Sequence, residues 1–464
     1  MSELAAPSAT GTWREVFGQG YRAPLAAISL GVGLYALNAF IVATALPSAV
    51  ADIGGLDIMS WSIALFLVLA IVSGSAAALI KARWGSRRSL SVAGALFCAG
   101  TLVAGLAPSM PVLLVGRALQ GLGEGVIAAL CYALIPALFP GRLVPKVFGV
   151  EAVVWAVAAS GGPLLGGILT EFLSWRWAML VSVPLSLLFI VLIRRTAADD
   201  ASGSGVGHPV PGLRLLGAGG GILLVAVASL LGAAEAAVAI AAALLVLVGT
   251  VWVDRRSALR LFPRDAFSFR TTVGAGLWVV LLMPLAQAGT MVYLAYLIQQ
   301  LLDAGPTMAG LMNATLALAW SLVAILVADR AGLRWARFLI RVGPLLLFLG
   351  LGCHALGFQL GSSWLVVLAQ VLLGAGFGSG WAFLSQAIME RAQPDDRDRA
   401  AAMVPTVQSA GYALGAALAG IVANFSGLEV TPAATVPWLL GTCAVFAVLA
   451  WGASLRVQPK QQTA

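Results

Sequence analysis

The sequence predicts an all-α protein that crosses a membrane many times. Of its 464 residues, 60% are hydrophobic and only 10% are charged, whereas soluble proteins carry about 25% charged residues. The apolar residues form long runs separated by short polar segments, and a soluble core stops growing at roughly 250–300 residues. A helix needs about 20 apolar residues to cross the hydrocarbon core, which matches these runs. The predicted class is therefore a polytopic helical membrane protein.

Fourteen such runs can be counted, and the charges between them give an orientation. Twenty-five of the 27 Lys and Arg residues fall on one side of the predicted membrane, and Arg176 is the one cation in the loops of the other side. Because cytoplasmic loops are enriched in Lys and Arg, we expect both termini in the cytoplasm. The approximate centres of the runs are Leu37, Leu69, Leu96, Ala128, Ala158, Leu187, Val225, Leu244, Pro284, Ala319, Leu347, Gly374, Leu414 and Phe446.

The fourteen predicted spans divide into two halves and an insert. Residues 1–195 and 271–464 each hold six spans, and residues 196–270 hold a Gly/Ser-rich linker and two plain apolar spans. The segment QGLGEG at 120–125 in the fourth span is matched by LGAGFG at 373–378 in the twelfth. Internal repeats of this kind occur in many secondary transporters, whose substrate sites lie near the bilayer midplane between the repeats.

The sequence argues against several other classes of protein. The net charge of +8 is spread over short loop clusters, which does not indicate a nucleic-acid surface. A phosphate-binding glycine loop is absent from the sequence, so ATP is not the expected energy source. His208 and His354 are far apart and have no acidic cluster beside them, so neither a metal site nor a cofactor is expected. Enzyme activity is not expected either, since no soluble domain is available to hold a catalytic site.

The fourth predicted span carries a polar stripe. Arg117, Gln120 and Glu124 are spaced i, i+3 and i+7, so they share one helix face. Ionisable residues at membrane depth indicate a functional site. Desolvation disfavours the charged form of Glu124 and a nearby cation favours it, so this carboxylate could load and release a proton. The alternatives are a structural Arg117–Glu124 pair, or an Arg117 that is bonded to neighbouring backbone.

Glu151 is a second candidate for proton coupling. It enters the fifth span near the predicted cytoplasmic end. The alternative hypothesis, which the sequence favours, is an ion pair with Lys146 or Arg142, because charges near helix ends are usually solvated. His354, inside the eleventh span, is interpreted as a packing histidine rather than a proton relay.

Aromatic and amide side chains inside the spans suit a pocket for amphiphilic compounds. Some of them could instead anchor helices at the membrane interface. The candidates for the substrate cavity are Asn38, Gln120, Trp155, Gln287, Tyr293, Tyr296, Asn313, Trp320, Trp381, Gln386, Gln408 and Tyr412.

A glycine-rich run in the fifth span suggests close helix packing. Gly161, Gly162, Gly166 and Gly167 remove side chains so that a neighbouring helix can approach, and Pro163 removes a backbone donor and bends the helix. Such packing could seal one side of a cavity. The alternative is ordinary small-residue packing without a gating role.

These motifs resemble the major facilitator superfamily, and within it the fourteen-helix drug:proton antiporter family. The resemblance extends over nearly the whole chain, and the order and spacing of the motifs carry it. The cytoplasmic loop motif is represented by Arg83, Gly85 and Arg87, with a second-half copy at Asp329 and Arg330. The other matching segments are ALP at 45–47, RALQGLG at 117–123, GGPLLGG at 161–167 and SWRW at 174–177.

The resemblance implies a major facilitator fold and proton-coupled export of hydrophobic or amphiphilic small molecules across the inner membrane. It implies small-molecule substrates and protons as partners, a lipid bilayer, no nucleic acid, and a monomer, with a periplasmic adaptor as a further candidate. The chain departs from the family at Asn38, where an acid is common, and at Ala78 and Ala82 in the loop motif. The alternatives are an uptake symporter, a flippase or exporter of a lipid, and a membrane sensor that does not transport.

Overall fold

The computed structural model describes residues 12–196, 212–257, 260–328, 332–393 and 396–459, and all regular elements in these ranges are helical. One of them, η1 (Leu56–Ile58), is a 3-10 helix. The α-helices are α1 (Trp13–Val16), α2 (Arg22–Ile53), α3 (Trp61–Gly105), α4 (Met110–Leu138), α5 (Val144–Phe172), α6 (Trp175–Leu180), α7 (Ser182–Thr196), α8 (Gly212–Ala228), α9 (Ala233–Arg256), α10 (Thr272–Leu301), α11 (Pro306–Ala328), α12 (Leu333–Gln359), α13 (Ser363–Arg391), α14 (Arg397–Phe425) and α15 (Pro432–Ser454).

The protein is a multi-pass membrane protein. In the described part of the chain, 12 helices are long and apolar enough to cross a bilayer, where the sequence predicts fourteen spans. The difference arises at two places. The 45-residue α3 includes the second and third predicted spans and is counted as one helix. The seventh predicted span corresponds to α8, which has 17 residues and is too short to be among the 12.

Helix α3 consists of two arms that meet at Gly85. This residue has φ 74° and ψ 163° within an otherwise helical segment, a conformation that glycine adopts without a steric penalty. The hydroxyl of Ser89 donates hydrogen bonds to the carbonyl oxygens of Gly85 (2.7 Å) and Ile80 (3.2 Å), which links the two arms across the turn. The first arm is residues 61–84 and the second arm is residues 86–105.

Helix α4 lies between the two arms and touches both through glycines. A Cβ on Gly123 would lie 2.6 Å from the carbonyl oxygen of Ala93 in the second arm, and one on Gly121 would overlap the carbonyl oxygen of Phe66 in the first arm. Successive residues of α4 contact successive residues of the first arm in the same order, so these two segments run parallel. The contacts of α4 with the second arm follow the reverse order. The two arms are therefore antiparallel, and the backbones pack closely because side chains are missing.

The same arrangement occurs around α13, which lies between α11 and α12. A Cβ on Gly376 would lie 2.7 Å from the carbonyl oxygen of Gly343 in α12, and one on Gly374 would overlap the carbonyl oxygen of Leu316 in α11. The glycines that the sequence aligns between the fourth and twelfth predicted spans thus make equivalent contacts. Glu124 in α4 corresponds to the buried Phe377 in α13.

Helices α2 to α7 and helices α10 to α15 meet along two seams. One seam joins α5 to α11, and the other joins α3 to α14. Helix α8 packs on the second seam against both α3 and α14, and α9 packs on α8 with most of its own surface exposed. We call the end of the bundle at which α2 begins and α15 ends the near end, and the opposite one the far end.

Candidate functional site

A fully buried polar network lies within the first group of helices. Arg117, Gln120 and Glu124 on α4 and Asn38 on α2 are each at most 2% exposed. Burying a charge in an apolar environment is costly unless hydrogen bonds compensate for the lost hydration. Such a network is therefore either structurally necessary or functional.

The members of the network form a continuous chain of hydrogen bonds. Arg117 donates from a terminal guanidinium nitrogen to Oε1 of Gln120 (2.6 Å). The Gln120 amide nitrogen donates to the hydroxyl of Thr101 (3.0 Å) and to Oδ1 of Asn38 (3.4 Å). The Asn38 amide nitrogen then donates to Oε2 of Glu124 (3.1 Å). Asn38 thereby connects α2 to both ends of the polar stripe on α4.

Arg117 is held by the first arm of α3 rather than by Glu124. Its Nε donates to the carbonyl oxygen of Ser62 (3.0 Å), and its guanidinium carbon lies 4.1 Å from the centre of the Phe66 ring, a favourable cation–π geometry. Among the described residues, no ion pair joins Arg117 and Glu124. Of the alternatives considered from the sequence, the bond from Arg117 to neighbouring backbone is present and the direct pair is not.

Glu151 lies inside the protein and not among the loop cations. It is 1% exposed, and its Oε1 accepts a hydrogen bond of 2.7 Å from the hydroxyl of Ser29 in α2. The suggested pairing with Lys146 or Arg142 is wrong, because these cations contact the N-terminal segment: Arg142 pairs with Glu15 at 3.6 Å, and Lys146 lies over the Trp13 ring.

Aromatic side chains lie between the two buried carboxylates. The indole nitrogen of Trp155 on α5 donates to the hydroxyl of Tyr132 on α4 (3.0 Å). The Trp155 ring meets the Tyr35 ring edge to face at 5.5 Å. Tyr35 interacts electrostatically with Glu124, and Tyr132 does so with Glu151. Trp155, one of the predicted cavity residues, is half-buried in this group.

On α10 and α14, a second polar contact involves predicted cavity residues. The hydroxyl of Tyr412 donates to Oε1 of Gln287 (2.7 Å). Tyr412 and Gln408, one turn before it, are half-buried, and the neighbouring Ser409 interacts with Tyr35 of α2. This set of side chains therefore brings the two groups of helices together beside Glu124.

The remaining predicted cavity residues do not form one lining. Tyr293 and Tyr296 are buried in the core around α10. Asn313 accepts a hydrogen bond of 2.9 Å from Gln370, and Gln386 donates one of 2.7 Å to Glu390. Asn38 and Gln120 are buried in the network, so neither presents a side chain to an open surface in this conformation.

An aromatic group lies between α11 and α13. The Trp320 ring stacks on the ring of Phe377 at 4.8 Å, and Trp381 approaches these rings at 6.2 and 5.6 Å. Trp320 and Trp381 are half-buried, so each retains an accessible aromatic edge or face. Such groups can contact an apolar ligand of varied shape.

The glycine-rich run of α5 makes a close backbone contact between the two groups of helices. A Cβ on Gly167 would lie 2.5 Å from the carbonyl oxygen of Pro306 at the start of α11, and one on Gly310 of α11 would overlap the carbonyl oxygen of Pro163. Gly166 and Gly162 face α2, with a Cβ on Gly162 3.0 Å from that of Phe40. Gly161 has open space around it.

The predicted loop motif lies where the two arms of α3 meet. Gly85 forms the turn, Arg83 is exposed, and Arg87 is half-buried and has an interaction partner. The second-half copy, Asp329 and Arg330, lies outside the described residues.

Sequence reasoning missed several residues that complete the site. Tyr35 precedes Asn38 by three positions and shares its helix face, so the polar periodicity of α2 could have identified it. Ser29, Thr101 and Tyr132 gave no such signal, because isolated hydroxyls are common in apolar helices. In the described part of the chain, no cluster of His, Cys, Asp or Glu is suited to a metal ion.

A two-part helical bundle with a buried polar network between its membrane-spanning helices is typical of polytopic membrane transporters. The sequence matches the Major Facilitator Superfamily at residues 28–351 and again at 276–464. The chain belongs to this superfamily.

Two similar proteins are named for multidrug efflux and for puromycin resistance. A protein of Mycobacterium tuberculosis named "Probable multidrug-efflux transporter" is 34% identical over 441 residues, which cover 91% of this chain and 92% of that protein. The puromycin resistance protein pur8 of Streptomyces alboniger is 32% identical over 460 residues, covering 90% and 88% respectively.

Solved structures show the same fold at low sequence identity. The D-xylose–proton symporter has a TM-score of 0.68 at 15% identity and covers 95% of this chain and 98% of its own. A bacterial homolog of the human lysosomal transporter Spinster, solved in an inward-facing and unoccupied conformation, has a TM-score of 0.66 at 15% identity, with coverages of 96% and 97%.

Proposed function

We propose that this protein is a secondary active transporter that exports hydrophobic or amphiphilic small molecules in exchange for protons, by alternating access. The observation that carries the proposal is Glu124, a fully buried carboxylate with one hydrogen bond, from Asn38, and one oxygen without a partner among the described residues. A carboxylate with an uncommitted oxygen can accept a proton without first breaking a hydrogen bond. The names of the relatives from Mycobacterium and Streptomyces support drug export.

The proposed substrate region is the space between the halves, next to Glu124. Tyr35, Trp155, Gln287 and Tyr412 supply aromatic faces and amide or hydroxyl groups there. A mostly apolar site with few polar groups fits amphiphilic organic molecules of varied structure. Trp320 and Trp381 would extend this lining on the side of α11 and α13.

The proposed topology has fourteen spans and both termini in the cytoplasm. It treats the two arms of α3 as separate spans and α8 as a short one. Residues 1–195 and 271–464 form the two six-helix halves, with residues 196–270 as the insert, in a monomer of the inner membrane. The antiparallel course of the α3 arms and the positive charge of the near-end loops support this assignment.

In this topology the far end faces away from the cytoplasm and is closed. Two hydrogen bonds cross between the halves there: the backbone N–H of Thr307 donates to Glu171 (2.8 Å), and the Asn424 side chain donates to the carbonyl oxygen of Asp57 (2.8 Å). The Gly167 contact lies at the same end. Together they favour a conformation from which substrate would be taken up on the cytoplasmic side.

The test is proton-coupled transport by the purified protein in proteoliposomes, with puromycin and ethidium as probes. We expect the wild type to move a probe against its gradient when a proton gradient is imposed, and to take up protons in return. Glu124→Gln should lose uphill movement by at least about tenfold while retaining probe exchange at equilibrium, because exchange does not require a change of protonation. The expected loss corresponds to about 1.4 kcal/mol or more.

The matched control is Glu235→Gln, which removes an exposed carboxylate at the first turn of α9. It should transport like the wild type. Full proton coupling in Glu124→Gln would contradict the assigned carrier. Glu151→Gln, measured in parallel, tests whether the second buried carboxylate contributes to the same proton count.

A further inference from the structure

We propose that Asn38 is a positioning residue for the transported proton: it holds Oε2 of Glu124, so that the proton is loaded onto the opposite oxygen, Oε1. The proposal rests on the proposed function, in which Glu124 carries the proton. It gives a role to the position at which this chain departs from the acid that is common in the family.

The direction of the hydrogen-bond chain follows from Arg117. A guanidinium group only donates, so Gln120 presents its oxygen to Arg117, and this orientation turns its amide nitrogen toward Asn38. Asn38 must then present its own oxygen to Gln120. Its amide nitrogen is therefore the group that faces Glu124. Each hydrogen bond of this series is donated toward the carboxylate. Arg117, which donates the first of them, prevents the amide groups from reversing.

This direction determines which oxygen of Glu124 binds the proton. Oε2 accepts from the Asn38 amide and must remain an acceptor, whereas Oε1 has no partner among the described residues. Loading forms an O–H bond at Oε1 and release breaks it. The hydrogen bond from Asn38 persists in both states, because Oε2 accepts either as a carboxylate oxygen or as the carbonyl oxygen of the protonated acid.

Few other groups act on Glu124 electrostatically. Arg117 on the same helix and Tyr35 on α2 are the ionisable side chains that interact with it in the described chain. The two arms of α3 contribute neutral groups at this level, such as Thr101 and the Ser73 hydroxyl, which donates to the carbonyl oxygen of Gly121. Asn38 is therefore the neutral side chain that acts on the carboxylate directly.

A hydrogen bond to a carboxylate favours its ionised form. Removing the Asn38 amide should make Glu124 retain its proton to higher pH, by about one pH unit or more, since a hydrogen bond to a charged group changes the equilibrium by roughly tenfold or more. A residue that only fills space between α2 and α4 would not move this midpoint.

Infrared difference spectroscopy on the purified protein in lipid nanodiscs measures the midpoint without any substrate. The carbonyl band of the protonated acid is assigned by its loss in Glu124→Gln, and its intensity is followed against pH. In Asn38→Leu, which keeps the volume and removes the amide, we expect the midpoint to rise by about one unit or more. We also expect the band to move to higher frequency, because its carbonyl oxygen no longer accepts a hydrogen bond.

Two further variants keep the test decisive. Thr250→Val is the matched control, because it removes a hydroxyl of α9 that donates to the carbonyl oxygen of Val246 in the same helix (2.7 Å) and leaves the chain to Glu124 intact, so its midpoint should not move. If Asn38→Leu does not fold, the isosteric Asn38→Asp replaces it. Two carboxyl groups that share a site do not ionise together, so we expect its titration to split into two steps.

An unchanged midpoint and band frequency in the folded Asn38 variants would overturn the positioning role and leave Glu124 as the carrier. Absence of any band that depends on Glu124 would overturn both this inference and the carrier in the proposed function. Proton-coupled transport that is normal in Glu124→Gln, despite a band that responds to Asn38, would overturn Glu124 as the carrier, and Asn38 would then position a proton that is not transported.

Discussion

The contact between α5 and α11 gives a quantitative prediction for alternating access. Gly167 has no room for a side chain: a Cβ there would lie 2.5 Å from the carbonyl oxygen of Pro306 and 2.8 Å from Cα of Thr307, against 3.4–4 Å for an ordinary contact. Gly167→Ala therefore requires the two backbones to separate by about 0.9 Å. Backbone atoms on both sides cannot move aside as a flexible side chain would.

The strain should shift the conformational equilibrium and not unfold the protein. Gly167 and Pro306 belong to different groups of helices, so separating the groups relieves the overlap without disturbing the packing inside either one. Overpacking costs about 1–3 kcal/mol, which corresponds to a shift of about 5- to 150-fold toward a conformation with the far end open. Gly310→Ala, which opposes the carbonyl oxygen of Pro163, should act in the same direction.

Electron–electron resonance between two spin labels can measure this shift. Leu106 and Leu360 are exposed at the far ends of α3 and α12, one in each group of helices, and can carry labels in a cysteine-free background. We expect a longer distance to gain population in Gly167→Ala. The matched control is Gly161→Ala on the same helix, where a Cβ meets nothing within 4 Å. Identical distance distributions in the two folded variants would refute the argument.

Two further predictions concern stability and selectivity. Asp254→Ala removes the acceptor of Arg214 and of the backbone N–H groups of Leu261 and Phe262, so we expect a loss of about 3–5 kcal/mol, seen as a lower midpoint of thermal unfolding. Tyr412→Phe removes the donor to Gln287. It should change the ratio of puromycin to ethidium export by about 2- to 10-fold and leave the proton count per exported molecule unchanged, as measured in proteoliposomes.

The helices were predictable because a bilayer imposes a length and an apolar composition on each span. The equivalent glycine contacts of α4 and α13 also follow from the sequence, since a glycine every second residue allows a helix to approach two neighbours. The hydrogen bond between Asn38 and Glu124 could not be predicted from the sequence. It depends on the rotation of α2 against α4, and one residue of register turns a helix face by about 100°.

The environment of Glu151 shows why proximity in sequence misled the prediction. Arg142 and Lys146 precede it in the chain, but helical geometry places Lys146 on a different face, since residues five apart are not neighbours on a helix surface. Both cations contact the segment that contains Trp13 and Glu15. That segment has no apolar run long enough to predict its docking site.

Arg117 and Asn38 both stabilise the carboxylate of Glu124, and the direct attraction from Arg117 is the larger of the two contributions. Arg117 and Glu124 are seven residues apart, about 10 Å along the helix axis. At an effective dielectric constant of about 20, two unit charges about 10 Å apart attract each other by about 1.7 kcal/mol. A hydrogen bond to a charged group contributes about 1.5–3 kcal/mol. The hydrogen bond from Asn38 is therefore of the same order of magnitude as the direct attraction, although Arg117 has the larger effect, and the effect of removing the amide should be measurable.

Comparing the buried carboxylates separates structural acids from candidate proton carriers. Asp254 is 1% exposed, and both of its oxygens are engaged: Oδ1 by Arg214 and the N–H of Leu261, and Oδ2 by the N–H of Phe262. These bonds join α8 and α9 to the segment before α10, which gives Asp254 a structural role. Glu124 and Glu151 each have one hydrogen bond and one oxygen without a partner in the described chain. Burial alone does not distinguish these acids, whereas the number of carboxylate oxygens that accept hydrogen bonds does. By that measure, a proton can be exchanged at Glu124 or Glu151 with the least loss of existing hydrogen bonds.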